Sequence, residues 1–108
     1  MHFIVTSKQG ASWDPTKPMR EQQLWDEHVV FINGLLDDGF MVLGGPLSDG
    51  TFSPASEPVG DRGYRTMIVV RAASSDEVAR RVEQDPWVAA GVLERTSIDC
   101  WEVLAGDL

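Results

Sequence analysis

Residues 65–104 read RTMIVVRAASSDEVARRVEQDPWVAAGVLERTSIDCWEVL, and the order of elements here decides the fold. RTMIVVRA (65–72) is a β-branched run with apolar residues on both faces, as in a central strand. SSDEVARRVEQ (74–84) opens on Ser74 with Glu77 three residues later, a capping-box spacing that predicts a helix. PWVAAG (86–91) predicts a short helical turn. LERTSIDCWEVL (93–104) predicts a last strand.

Upstream, HFIVT (2–6) is short, β-branched and aromatic, and predicts a first strand. SKQGASWDPTKP (7–18) predicts a loop, with Pro18 placed where a helix start tolerates a missing N–H. MREQQLWDEHVVFINGLLDDG (19–39) has a helical period. Leu24, Trp25, His28, Val29, Ile32, Leu35 and Leu36 share one face, while Asp26, Asn33 and Asp37 lie opposite. Gly39 stops the helix. FMVLGGPL (40–47) predicts a strand that ends at Gly-Gly-Pro. Residues 48–64, SDGTFSPASEPVGDRGY, carry many breakers and little periodicity, and predict a long loop of the kind that often serves function. The element order is β-α-β-β-α-β, that of an α+β, ferredoxin-like domain with a four-stranded antiparallel sheet and two helices on one face. The helices leave the other sheet face open, so a second copy of the chain is the expected cover and a homodimer the expected assembly.

The chain has 108 residues, which predicts a single domain spanning 1–108. A net charge of −8 disfavours nucleic acid, whose phosphates need compensating Lys and Arg. It also disfavours anionic membrane surfaces. One cysteine, Cys100, permits no internal disulfide. The first residues, MHFIVTSKQG, lack a basic segment and a long apolar run. No stretch approaches the ~20 apolar residues of a membrane span. These features together predict a cytoplasmic protein.

Several residues are candidates for chemistry. His28 lies within the apolar stripe of the first helix and so faces the sheet. Imidazole titrates near neutrality and transfers protons, although a histidine in such a place also serves simply as a hydrogen-bonded half-buried residue. Asp85 precedes Pro86, the pattern of an N-cap followed by proline in the first helical turn. Capping and catalysis are compatible, because one carboxylate oxygen can cap while the other orients an imidazole. Asp37 lies about 180° around the helix from His28, and Asp26 and Glu27 are too close in sequence to face it. Asp85, at the end of the second helix, is remote in sequence but could come close in a βαββαβ fold, where both helices lie on the same sheet face.

GGPLSDG (44–50) lacks the Lys-Ser/Thr ending of a phosphate-binding loop. It reads as a strand end, or as a pocket rim with Gly45 and Pro46 beside a small ligand. Trp87 is a candidate pocket wall, while Trp13, Trp25 and Trp101 are expected in the core. Cys100 is expected to be a small apolar filler. His2, His28 and Cys100 have no familiar metal-site spacing, so neither metal nor cofactor is implied.

The segments HVVFINGLLDDGFMVLGGPL (28–47), MIVVRAASSDEVARRVEQDPWVAAGVL (67–93) and DCWEVL (99–104) resemble the YCII-related domain family. The shared features are a helix histidine, Asp-Gly before a strand, Gly-Gly-Pro-Leu, an Asp-Pro-aromatic motif and an aromatic near the end. The resemblance runs from the first strand to about residue 104. It implies a ferredoxin-like fold that dimerises into an α+β barrel, related to muconolactone isomerases and chloromuconolactone dehalogenases. It also implies a site centred on a His-Asp pair, which falls on His28 and Asp85. The segment from Ser48 to Tyr64 is longer than in short members of the family. The expected function is small-molecule proton transfer leading to isomerisation, elimination or dehalogenation. The alternative is a ligand-binding or structural dimer without catalysis.

Overall fold

The computed structural model describes residues 1–60 and 62–108. Four strands form the main sheet: β1 (His2–Gln9), β2 (Met41–Leu47), β5 (Arg65–Arg71) and β6 (Leu93–Trp101). Their spatial order is β2-β5-β1-β6, and every neighbouring pair is antiparallel. Three helices accompany them: α1 (Trp25–Asp37), α2 (Ser75–Val82) and the one-turn α3 (Pro86–Ala89). The two-residue strands β3 (Thr51–Phe52) and β4 (Pro58–Val59) pair as a separate ribbon.

Register explains which face the helices cover. Phe3, Val5 and Ser7 stand opposite Val70, Ile68 and Thr66. Side chains alternate across a strand, so these six share one face. Leu35 of α1 and Val78 and Val82 of α2 pack onto Phe3, Val5 and Val70 there, closed at one end by Phe40 and Met41. The opposite face carries Ile4, Met67, Val69 and Leu43.

The first helix is shorter than its hydrophobic pattern predicts. Met19–Glu21 form a single 3-10 turn, and the chain then breaks at Leu24, which has φ 61° and ψ 23°. Leu24 and Leu36 sit near the ends of the element and are exposed, outside the core they were expected to join. Gln22 explains the break. Its buried amide donates to the carbonyls of Asp14 and Lys17, and its side-chain oxygen accepts from the Asp14 N–H, tying the 10–18 loop to the helix entry.

The long loop expected at 48–64 contains the β3–β4 ribbon, held by the Ser48 hydroxyl between the Thr51 and Val59 carbonyls. β1 extends to Gln9 rather than stopping at Thr6, and β6 ends at Trp101 rather than Leu104. Ser74 caps α2 through the Glu77 N–H, while the Glu77 carboxylate reaches one residue beyond the usual box, to the Ala73 N–H. Cys100 is exposed, not a core filler, and lies on the edge strand β6. Of the tryptophans only Trp87 is fully buried; the other three are partly exposed.

Past β1 the chain is pinned to the end of α3. The Gly10 N–H donates to the Val92 carbonyl at 2.8 Å, and the Ser12 N–H to the Gly91 carbonyl at 2.8 Å. A Cβ on Gly10 would fall 2.1 Å from the Gly91 oxygen, so only glycine allows this approach. The contact locks the turn that carries Asp85 and Trp87 against the sheet.

Candidate active site

Asp85 is at the N-cap of α3, with φ −60° and ψ 125°, and Pro86 follows in the first turn. Its Oδ1 accepts the Trp87 backbone N–H at 2.9 Å. The carboxylate also meets His28 of α1, with Nδ1 2.9 Å from Oδ1 and 2.8 Å from Oδ2. Asp85 therefore caps its helix and holds the imidazole at once. The side chains are 12% and 5% exposed for His28 and Asp85.

A carboxylate accepts hydrogen bonds, so Nδ1 carries a hydrogen and the lone pair of neutral His28 lies on Nε2. Nε2 makes no hydrogen bond among the described residues and is not sealed from solvent. Trp87 fixes the plane of the ring. Its indole stacks on the imidazole at 4.0 Å and 9°. The indole is itself held by its Nε1–H, which donates to the Gln23 carbonyl at 2.7 Å. The broken helix entry thus supplies that acceptor, one residue before the left-handed Leu24.

His28 and Asp85 line a cavity of about 290 Å³ between α1 and the sheet. Gly45 and Pro46 of β2 line it too. Trp87 does not; it is completely buried and backs the histidine from behind. The wall is mostly apolar, with Phe31, Ile32 and Ile68 on it, and it carries the polar groups of Ser7, Thr66, Arg20, Arg95 and Tyr64. Sequence reading alone misses Tyr64, because it lies at the end of a segment that reads as featureless loop. The only signal was its being the chain's single tyrosine, next to a strand.

A second, larger cavity of about 470 Å³ lies between the 10–18 loop and the β3–β4 ribbon. It shares Tyr64 and Met19 with the first but is lined by neither His28 nor Asp85. Among the described residues, no group of three or more His, Cys, Asp or Glu side chains is placed to hold a metal.

The YCII-related domain model matches residues 1–102. The chain belongs to this family. Among solved structures it is similar to 5-chloro-2-hydroxyhydroquinone dehydrochlorinase of Burkholderia phenoliruptrix AC1100, in complex with 2,5-dihydroxybenzoquinone. The TM-score is 0.68 at 24% identity, over 94% of each chain. At that identity the likeness speaks for the α+β fold. No curated protein gives a significant match. Among the described residues of this YCII-related chain, no helix is long and apolar enough to cross a membrane.

Proposed function

We propose that the protein is a cofactor-independent enzyme that moves a proton on a small carbonyl or phenolic substrate, with His28 as general acid/base and Asp85 as its positioning carboxylate. One observation carries this reading: a histidine clamped at Nδ1 by a carboxylate, with Nε2 free at a 290 Å³ apolar cavity. That arrangement is the one by which a carboxylate fixes a catalytic imidazole and stabilises its protonated form. A histidine serving only the fold would be expected to use both nitrogens or to stand without a cavity. The reaction classes that fit are isomerisation and elimination of a halide. The similar dehydrochlorinase supports the second. Ketonisation of the ring puts a proton on the chlorine-bearing carbon. Base removal of a proton from another hydroxyl then lets its oxygen form C=O, the ring π pair shifts to a new C=C, and chloride leaves with the C–Cl electron pair.

The finer fold reading belongs with this function. The strand order supports a ferredoxin-like domain. The partly exposed apolar sheet face supports pairing of two copies into an α+β barrel, and the lone cysteine supports a cytoplasmic setting.

Chloride release from 5-chloro-2-hydroxyhydroquinone tests the halide-eliminating reading. The wild-type protein is expected to release chloride. His28→Asn should slow release by about 10²- to 10⁴-fold, the usual worth of a general base, with an unchanged circular-dichroism spectrum. Release at the wild-type rate by the folded variant would exclude His28 as the base.

A further inference from the structure

Tyr64 immediately precedes β5 and lines the same cavity as His28 and Asp85. The residue is 8% exposed. Its hydroxyl nevertheless makes no hydrogen bond among the described residues. It is not sealed from solvent either, since Arg65 Nε is the buried polar side-chain atom left without a partner among them. A phenol hydroxyl at a cavity wall with no protein acceptor keeps its donor free for a bound ligand.

The ring is held in place. Trp13 stacks on it at 4.6 Å and 15°, and Trp87 meets it edge-on at 6.1 Å. Its backbone is tied to Gln9 on both sides: the Gln9 N–H donates to the Tyr64 carbonyl at 2.9 Å, and the Tyr64 N–H to Gln9 Oε1 at 3.2 Å. Tyr64 and His28 therefore gather around one indole, His28 on its face and Tyr64 at a perpendicular angle.

Burial, and after it the charges of Glu57 and Asp85, hold the phenol above its ordinary ionisation range, with Arg20 acting in the opposite sense. At neutral pH the group is a phenol with its O–H intact. Asp85 and Arg20 line the His28 cavity, Glu57 lines the larger one, and Tyr64 borders both.

We propose that the Tyr64 hydroxyl donates a hydrogen bond to the substrate oxygen on which negative charge develops, while His28 Nε2 takes the proton. This rests on the proton-transfer reading above and narrows its substrates to small rings or chains bearing a carbonyl or ionisable phenolic oxygen. For a carbonyl compound the balance is simple. The C–H bond breaks toward Nε2, its electron pair becomes the C=C bond, and the carbonyl π pair moves to oxygen. The resulting oxyanion is met by the Tyr64 O–H. Return of the proton to another carbon completes an isomerisation, and departure of a halide with its bonding pair completes an elimination. No oxidant or reductant is required. A preorganised donor aimed at developing charge is a large contributor to catalysis of this kind.

The test uses 2,5-dihydroxybenzoquinone, whose ring oxygens share negative charge at neutral pH. With tyrosine labelled by ¹³C at Cζ, the protein gives a single tyrosine signal. That signal should shift saturably as the quinone is added, in wild type and in His28→Asn alike. Tyr64→Phe, which keeps the ring and its stacking, should bind the quinone about 10- to 100-fold more weakly, the range for a lost hydrogen bond to a charged group. Absence of a saturable shift, or equal binding by Tyr64→Phe, overturns the proposal whether or not turnover is seen. A normal Tyr64 response combined with full turnover by His28→Asn would instead sink the proton-transfer reading and leave the Tyr64 contact standing.

Discussion

Asp85 does two jobs with one carboxylate, and they separate by substitution. As a cap it accepts the Trp87 N–H, and as a positioning group it holds His28 Nδ1. Asn keeps an oxygen that can cap, so Asp85→Asn should cost about 1 kcal/mol or less of stability. Under the proposed function it should still slow turnover by about 10²-fold or more, because an amide does not stabilise an imidazolium as a carboxylate does. Asp85→Ala loses the cap and leaves the Nδ1 hydrogen without its partner beside a nearly buried ring. It should cost about 2–4 kcal/mol, from a cap of ~1 and an orphaned donor of about 1–3. Urea denaturation of both variants, paired with their rates, checks this. A fully active Asp85→Asn would reduce Asp85 to a cap. The His28–Asp85 contact was open to sequence reasoning because the helix stripe and the Asp-Pro signal each place one partner. Tyr64 was not, since its environment is made by Trp13, Trp87 and Gln9, all remote in sequence.

The elements of the main sheet and α2 were legible because period and caps are local signals. The start of α1 was not. A hydrophobic period running from Leu24 to Leu36 continues smoothly through a point where the backbone turns left-handed. What breaks the helix is tertiary: Gln22 must reach the Asp14 and Lys17 carbonyls, and Gln23 must present its carbonyl to Trp87. Leu24 absorbs the turn at φ 61°, where a leucine Cβ crowds the following carbonyl at a cost of about 1–2 kcal/mol. Its side chain is 38% exposed and gives back little by burial. Asn tolerates this conformation better. Leu24→Asn should therefore stabilise the protein by about 0.5–1 kcal/mol and raise Tm by a few degrees, at the scale of 4–8 °C per kcal/mol for a small domain. A lower Tm would mean that the Leu24 side chain contributes more than its exposure suggests. β2 makes the converse point about local signals. Gly44 reads as a strand-end glycine, yet a Cβ there would lie 2.5 Å from Ile68 Cγ2 and 2.9 Å from the Met67 carbonyl oxygen. Its bareness keeps the cavity floor open, which only the packed sheet reveals.

For the whole molecule the outstanding question is what covers the second sheet face. Register sets Leu43, Val69 and Ile4 in one row across β2, β5 and β1, with Met67 beside them. On the same face Arg65 and Lys8 stand at one end of the strands, and Arg71 and His2 at the other. An apolar centre with a polar rim is the anatomy of an interface rather than of a solvated sheet. Leu43 is 45% exposed and Ile4 and Met67 are half-buried, while Val69 between them is already buried within the chain. Two copies related by a two-fold axis would bury this patch against itself. Each copy brings a net charge of −8, so association works against like-charge repulsion and should tighten as salt is raised. Light scattering at micromolar concentration is expected to give twice the 11.9 kDa mass of the chain. Leu43→Glu places a charge at the centre of the patch while remaining solvated in the single chain, so it should yield a folded monomer. A wild-type chain that stays monomeric at high salt would show that the face is covered by something other than a second copy. If His28 chemistry then survives in Leu43→Glu, the site is complete within one chain, as expected of a cavity lined by its own helices and sheet.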